Sequence, residues 1–180
     1  MFEITPISPE LYRQQTRRST LLIAAIFLAL AMFCATASTQ AFGTPGGDNF
    51  KWNLLGVLAG LGLTVALVRL QLWHRPLMAA AVYGWRLKRS LMRVTNVMHH
   101  VKAGVAVGDD SAMKLLRFYH LGVTQMHQLD GNSSELSQMV REIDAHREAM
   151  QAQGLEVEQS RLDPAWLEAV KGFAATRSGC

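Results

Sequence analysis

The stretch TLLIAAIFLALAMFCATASTQAFGTPGG, from Thr20 to Gly47, contains no charged residue, and the stretch WNLLGVLAGLGLTVALVRLQLW, from Trp52 to Trp73, contains only Arg69. A helix of about 20 apolar residues crosses a hydrocarbon core of roughly 30 Å. Trp rings prefer the two interfaces of a bilayer, and about 32 Å of helix separates Trp52 from Trp73. The sequence therefore predicts two membrane-spanning helices, residues 20–39 and 52–73, joined by a short loop, residues 40–51.

The basic residues predict the orientation of this hairpin. The N-terminal segment, residues 1–19, carries three arginines, and residues 69–108 carry seven Lys or Arg and no acid. The loop has only Lys51, which is balanced by Asp48. An excess of Lys and Arg marks the cytoplasmic side of a bacterial inner membrane. We therefore expect an inner-membrane protein with both termini in the cytoplasm and the loop in the periplasm.

The first apolar stretch has an alternative interpretation as a signal peptide. Ala35-Thr36-Ala37 resembles an A-x-A cleavage site. The apolar run is longer than the apolar region of a signal peptide, and a second apolar stretch follows at once, which favours a retained helix. In either case the second helix would deliver the C-terminal part of the chain to the cytoplasm.

Residues 74–180 are predicted to form a small cytosolic helical module. Apolar residues recur at steps of three and four, which predicts helices at about 77–105, 111–129, 133–153 and 164–175. Asp109 and Asp163 are suited to cap two of these helices, and Asn132 with Glu135 resembles a capping box for a third. No segment alternates with a period of two. The predicted fold class is therefore all-α, with a membrane-spanning helical hairpin followed by a cytosolic helical bundle.

Two stripes of residues predict close helix packing. The second span carries Gly56-x-x-x-Gly60-x-x-x-Thr64, and the first carries Ala25-x-x-x-Ala29, a spacing that lets helix backbones approach in lipid. Residues 77–105 repeat apolar side chains over four heptads. Both stripes are compatible with packing inside one chain or with a homo-oligomer. The candidate seam residues are Gly56, Gly60, Leu87, Leu91, Val94 and Met98.

The basic run predicts contact with anionic membrane lipids. A Lys or Arg close to such a surface contributes about 1 kcal/mol. Arg69 lies one turn inside the second span, where a long side chain can reach the headgroups. The candidate lipid-contacting residues are Arg69, Arg86, Lys88, Arg89 and Arg93. No stacking aromatic residues interleave these bases, so nucleic acid is not an expected partner despite the net charge of +4.

No arrangement of residues predicts catalysis. Of the six histidines, His120 and His127 fall on the predicted polar face of helix 111–129, about 10.5 Å apart along its axis, which is too far for one metal ion. We expect the histidines to lie at the surface or at helix ends. No paired carboxylates, no activated nucleophile and no phosphate-binding loop are recognisable. The sequence therefore predicts a protein that is not an enzyme and holds no metal or cofactor.

Four short motifs carry a family resemblance. They are Asn53-Leu54-Leu55-Gly56-Val57, Val82-Tyr83-Gly84-Trp85-Arg86-Leu87-Lys88, Leu115-Leu116-Arg117-Phe118-Tyr119-His120-Leu121-Gly122-Val123 and Gln128-Leu129-Asp130. Over nearly its whole length the chain resembles a family of short two-span proteins of proteobacterial inner membranes, catalogued as a domain of unknown function. The resemblance implies a location and a topology but no activity.

The functional prediction is a membrane-tethered interaction or assembly module that touches anionic lipid. An accessory subunit of a larger membrane transport or envelope-assembly complex is the alternative, and it requires a membrane-protein partner. A metal- or ligand-binding sensor is a third class, and it would depend on His120.

Overall fold

The computed structural model describes residues 2–173, except for the side chains of residues 133–138. Its α-helices are α1 (Pro9–Phe42), α2 (Phe50–Leu67), α3 (Ala79–Thr95), α4 (Met98–Ala106), α5 (Asp110–Asp130), α6 (Ser133–Ala152) and α7 (Pro164–Ala169). A π-helical segment, Val68–Leu72, extends α2, and 3-10 turns lie at Pro76–Met78 and Val170–Gly172. No strand occurs among the described residues apart from one isolated bridge, so the all-α prediction is confirmed.

The chain forms two compact units. We call residues 13–82 the hairpin and residues 2–12 together with 83–173 the module. The hairpin contains two helices that are long and apolar enough to cross a membrane, Pro9–Phe42 with 34 residues and Phe50–Leu72 with 23. Only 6% and 17% of their most apolar stretches are buried. Most of their apolar side chains therefore face outward rather than into a protein core.

The two helices of the hairpin approach each other through small residues. A Cβ atom added at Gly60 would lie 2.6 Å from the Cα of Ala31, and one added at Gly56 would collide with the backbone of Ala35. Gly56 and Gly60 of α2 therefore pack against Ala35 and Ala31 of α1, which have the same spacing of four residues. The predicted partners, Ala25 and Ala29, are exposed instead. As a prediction of packing within the hairpin, this is wrong, because it took the register from spacing alone; a role of Ala25 and Ala29 between two copies stays a prediction.

The loop of the hairpin is closed by side chains near both helix ends. Phe42 stacks on Trp52 with ring centroids 5.1 Å apart. The Asn49 amide accepts a hydrogen bond from the Thr44 N–H and donates one to the Thr44 carbonyl oxygen, at 2.9 and 3.1 Å. Gly46 has a φ of 75°, a conformation that glycine adopts at no steric cost. These contacts fix a tight turn between α1 and α2.

The prediction of a single helix over residues 77–105 is wrong. The structure has α3 and α4 there, and they are separated at residues 96–97. The Thr95 hydroxyl donates a hydrogen bond to the Leu91 carbonyl oxygen at 3.1 Å, a contact that often bends helices. Asn96 follows, and its side chain competes with helical backbone bonds. The heptad stripe consequently divides between two helices and is not one continuous seam.

Helix α5 lies at the centre of the module. Most of its apolar face is buried, and so are His120 and His127 on the face predicted to be polar, together with Arg117. The prediction of a one-sided, amphipathic α5 is therefore wrong. The apolar core that it anchors consists of Val94, Val101, Ala112, Leu115, Leu116, Phe118, Leu162, Leu167 and Val170.

The segment before α1 belongs to the module. The Ile4 N–H donates a hydrogen bond to the Ser160 carbonyl oxygen at 2.8 Å, and the Leu162 N–H donates one to the Phe2 carbonyl oxygen at 3.0 Å. Phe2 and Ile4 also pack against the core. In the sequence, residues 1–19 are recognisable only as a basic segment before the first span. The structure instead has a bound strand-like end followed by one continuous helix, α1.

The helix ends follow the predicted caps where their side chains are described. The Asp109 carboxylate accepts a hydrogen bond from the Ala112 N–H, and the Asp163 carboxylate accepts one from the Ala165 N–H, both at 2.8 Å. The last helix is shorter than the predicted 164–175, because α7 tightens into a 3-10 turn that ends at Gly172. The side chains of Glu135 and Leu136, and all of residues 174–180, lie outside the described residues.

Candidate functional site

The outer face of α3 combines arginines with large apolar side chains. Trp85 is 44% exposed and Met92 is 62% exposed. The Arg89 guanidinium lies 5.1 Å from the centre of the Trp85 ring, and Arg86 and Arg93 are exposed on the same side of the helix. At 100° per residue these five positions fall within about 120° of arc. We call this set, Trp85, Arg86, Arg89, Met92 and Arg93, the α3 face.

Lys88 lies apart from the α3 face. Its ammonium nitrogen is 3.0 Å from a carboxylate oxygen of Asp130, at the C-terminal end of α5. The sequence groups Lys88 with the three arginines. Helical register explains the difference, because Lys88 lies about 100° from Arg89 around the axis. Arg86, Arg89 and Arg93 therefore share the α3 face, whereas Lys88, which is also exposed, lies beside Asp130. The lipid contact of all four residues stays a prediction.

Arg69 lies in the π-helical segment of the hairpin. Its guanidinium is 4.8 Å from the centre of the Trp73 ring, and the side chain is exposed. The Trp73 N–H donates a hydrogen bond to the Val68 carbonyl oxygen at 2.8 Å, the i→i+5 pattern of a π-helical turn. The arginine and the indole thus lie together at the end of the second apolar helix.

The candidate seam residues are occupied within the chain. Gly56 and Gly60 lie against α1 in the hairpin. Leu87, Leu91 and Val94 are buried, and a Cβ atom added at Gly122 of α5 would lie 2.7 Å from a methyl carbon of Leu91. Met98 is half-buried against the module core. Self-assembly through these residues would require that existing packing be opened.

A pair of histidines is buried between α5 and α6. The rings of His120 and His146 meet edge to face, with centroids 5.3 Å apart. Nε2 of His146 donates a hydrogen bond to the Met113 carbonyl oxygen at 3.0 Å. Among the described residues, Nδ1 of His120 is buried and has no hydrogen-bond partner. The hydrogen-bonding groups of the two imidazoles are therefore only partly satisfied in this apolar setting.

Burial keeps both rings neutral at pH 7. Burial, then the neighbouring His146 and Arg117, lower the pKa of His120 from 6.5 to about 4. Burial also lowers the pKa of His146, although its hydrogen bond to Met113 opposes that shift. Arg117 is itself buried, and its Nε donates a hydrogen bond to the Val157 carbonyl oxygen at 2.9 Å. Proton uptake by either histidine would place a second cation beside Arg117.

The prediction of surface or helix-end histidines is wrong for two of the six, His120 and His146, whereas His127 lies in the last turn of α5 as a helix-end residue. His120, His127 and His146 are buried, whereas His74 and His99 are exposed. His100 is half-buried, and its Nδ1 lies 2.5 Å from the Phe173 carbonyl oxygen. One sequence signal pointed to burial: Met113 lies one heptad before His120 on the same side of α5, so that side was not purely polar.

The described residues contain no group of three or more His, Cys, Asp or Glu side chains placed to hold a metal ion. The buried histidine pair supplies two imidazoles and is flanked by an arginine, which repels a metal cation. The exposed carboxylates of α6 lie beside arginines of the same helix, as Asp144 does with Arg147 at 3.5 Å.

The fold and its surfaces define a class: an all-α protein in which an apolar helical hairpin is joined to a helical module with an exposed basic face. The chain belongs to the family described as protein of unknown function (DUF3087), whose model matches residues 2–167. The match covers both the hairpin and nearly all of the module. No curated protein and no solved structure matches the chain.

Proposed function

We propose that the protein is a non-enzymatic interaction module anchored in the bacterial inner membrane. The hairpin spans the bilayer, and both termini and the module lie in the cytoplasm. The α3 face contacts anionic headgroups and holds the module against the membrane surface. The exposed apolar side chains of α1 and α2 support a lipid environment, because water would make their exposure costly.

The main support for placing both ends of the hairpin on one side of the membrane is the pairing of residues 2–4 with residues 160–162. The first segment precedes the hairpin and the second follows it, yet two backbone hydrogen bonds and the Glu3–Arg161 ion pair at 2.9 Å join them. A chain that leaves one compact unit through α1 and re-enters the same unit after α2 must cross a membrane an even number of times. The excess of bases in both flanks favours the cytoplasmic side.

The composition of the α3 face supports contact with headgroups. Three exposed arginines supply about 1 kcal/mol each beside an anionic surface. Trp85 suits the interface, where an amphipathic ring has one apolar and one wet side. Met92 offers an exposed apolar side chain between the arginines. Arginines beside apolar anchors are the composition of an interfacial helix.

Site-directed spin labelling of the full-length chain tests the proposal. The label is placed at Met92→Cys, in a background with Cys34→Ser and Cys180→Ser, in nanodiscs of phosphatidylcholine with or without phosphatidylglycerol. We expect phosphatidylglycerol to move the label toward the bilayer, so that collisions with dissolved oxygen increase and those with a water-soluble nickel complex decrease. A label at Val140→Cys on α6 is the matched control and should not respond.

Charge variants complete the test. Arg86→Gln, Arg89→Gln and Arg93→Gln together should abolish the response at residue 92. The control removes the same charge elsewhere in the module, through Arg141→Gln, Arg147→Gln and Lys171→Gln, and should leave the response intact. A label at residue 92 that stays equally water-accessible in both lipid compositions would contradict the proposed lipid contact.

A further inference from the structure

A groove runs along one side of the hairpin, between α1 and the second apolar helix. It encloses about 490 Å³, within the range of small-molecule sites. Residues of α1 line it at one-turn spacing, and residues of α2 and the π-helical segment line the opposite wall. The lining residues are Thr20, Ile23, Ala24, Phe27, Leu61, Thr64, Val65, Val68, Arg69 and Trp73.

The walls of the groove suit a hydrocarbon chain. Most lining side chains are apolar, and the Thr64 hydroxyl donates a hydrogen bond to the Gly60 carbonyl oxygen at 2.8 Å. That hydroxyl therefore presents no unmet polar group to an apolar ligand. From Leu61 to Trp73 the groove follows up to about 18 Å of helix, close to the roughly 15 Å depth of one leaflet. Its length matches an acyl chain lying along the hairpin.

One end of the groove is cationic. Arg69 is exposed there, lies over the Trp73 ring at 4.8 Å, and is the only Asp, Glu, Lys or Arg between Lys51 and Arg75. Arg17 and Arg18 precede Thr20 within one turn of α1 and are exposed. Asp48, in the distant loop, is the only acid between Leu11 and Gly108. The charge at this end is therefore complementary to an anion.

The π-helical segment is a second sign of a site. Segments of this kind are rare and occur frequently at functional sites, because the wider turn redirects side chains. Here the segment, Val68–Leu72, contains Arg69 and ends one residue before Trp73. It thus supplies the cation, and the next residue supplies the indole.

We propose that the groove binds one anionic phospholipid. An acyl chain lies between α1 and α2, the phosphate accepts hydrogen bonds from the Arg69 guanidinium, and the Trp73 indole lies at headgroup level. Arginine suits this role because its planar group can make paired hydrogen bonds to phosphate. The proposal rests on the proposed membrane location but not on the lipid contact of the α3 face.

Native mass spectrometry of the full-length protein, released from mixed micelles of phosphatidylglycerol and phosphatidylcholine, tests this site. We expect one retained phosphatidylglycerol per chain. Arg69→Gln should lower its retention about tenfold or more, since a charge-assisted hydrogen bond is lost. The matched control is Arg75→Gln, an exposed arginine that does not line the groove, and it should retain the lipid.

A second pair of variants tests the acyl-chain part. Ala24→Leu places bulk in the groove and should reduce retention of phosphatidylglycerol. Ala25→Leu adds the same bulk at an exposed neighbouring position outside the lining and should have no effect. Helical content by circular dichroism should match wild type in both. Unchanged retention in Ala24→Leu would overturn the groove as the binding site.

Two further outcomes distinguish a bound phospholipid from other occupants of the groove. Displacement of the lipid by inorganic phosphate would indicate a simple anion site and overturn the proposal. A lipid-free dimer that Ala24→Leu dissociates would show that a second copy occupies the groove, and this too would overturn it. The spin label at residue 92 reports the lipid contact of the α3 face separately. If the protein retains the lipid but the label does not respond to phosphatidylglycerol, the groove site is supported and the contact of the α3 face is contradicted.

Discussion

The imidazole of His120 meets that of His146 edge to face inside the module, at 5.3 Å between ring centroids, with the guanidinium of Arg117 nearby. Neither ring can gain a proton without placing a buried charge beside another cation. The contact couples α5 to α6, and only a neutral pair is compatible with its apolar setting. The folded state therefore has a built-in sensitivity to acid.

The first prediction concerns this sensitivity. Because folding lowers the pKa of His120, the unfolded chain binds more protons, and stability falls as the pH drops below 6.5 toward about 4. Relative to neutral pH, His120 alone should lower the free energy of unfolding by about 2 kcal/mol at about pH 5 and by about 3 kcal/mol at about pH 4. His120→Leu should flatten the dependence, measured as the thermal unfolding temperature in detergent across that range.

The control for the acid response is His99→Leu, which removes an exposed imidazole. It should show the wild-type slope of unfolding temperature against pH. The comparison depends on slopes, so a uniform loss of stability in His120→Leu does not affect it. Equal slopes in wild type and His120→Leu would contradict a buried, neutral His120.

The second prediction concerns the close approach of the hairpin helices. Gly56→Leu should force α1 and α2 apart, because a side chain there collides with the backbone around Ala35 and backbone cannot move aside cheaply. We expect a loss of more than about 2 kcal/mol, seen as a lower unfolding temperature and faster proteolysis in detergent. Gly62→Leu lies on the same helix with nothing within 4 Å and should behave as wild type.

This pair of variants also bears on oligomeric state. Gly56 is buried inside a single hairpin, so loss of a homo-oligomer in Gly56→Leu alone would not identify an intermolecular seam. If Gly62→Leu proved as destabilising as Gly56→Leu, the packing described for the hairpin would be wrong.

The predictable features of this fold are those encoded locally. Continuous apolar runs predicted the two long helices, and Asp109 and Asp163 predicted two helix starts, because a capping carboxylate acts within three residues. The break at residues 96–97 was missed because Thr95 and Asn96 only weakly oppose a helix. Local signals thus give the elements but not always their ends.

The unpredicted features depend on contacts between distant parts of the chain. The burial of His120 depends on His146, which arrives on a different helix. The binding of Ile4 depends on Ser160, and nothing in residues 2–4 suggests that partner. The groove could not be predicted either, since Ala31 and Ala35 rather than Ala25 and Ala29 set the register of α1 on α2. Spacing along one helix does not give the register between two.

The third prediction concerns the contact between α3 and α5. A Cβ atom at Gly122 would lie 2.7 Å from a methyl carbon of Leu91, so Gly122→Ala should destabilise the module by about 1–3 kcal/mol. Leu91→Val shortens the obstructing side chain and should recover part of that loss in the double variant. Chemical unfolding followed by circular dichroism measures the non-additivity. Strictly additive effects would contradict direct contact.

The control for this cycle is Gly172→Ala, a position with nothing within 4 Å of the added methyl group. It should be neutral or slightly stabilising, because alanine lowers the entropy of the unfolded chain.

The fourth prediction concerns the attachment of the N-terminal segment. The Tyr83 hydroxyl accepts a hydrogen bond from the Thr5 N–H at 3.2 Å and donates one to the Gln125 side-chain oxygen at 2.6 Å, and the Gln125 amide donates to the Thr5 carbonyl oxygen. Tyr83→Phe leaves the Thr5 N–H and the Gln125 oxygen without this partner. We expect a loss of about 1 kcal/mol, and therefore about fivefold faster hydrogen exchange at the Ile4 amide.

Arg161→Gln provides the comparison for this segment, because it removes the ion pair with Glu3 while keeping the backbone bonds. The Arg161 and Glu3 side chains are 62% and 50% exposed. Water therefore screens the ion pair, and its contribution to stability should be well under about 1 kcal/mol. Exchange at Ile4 should therefore rise more in Tyr83→Phe than in Arg161→Gln. The reverse order would mean that the surface ion pair, and not the Tyr83–Gln125 network, holds residues 2–5 on the module.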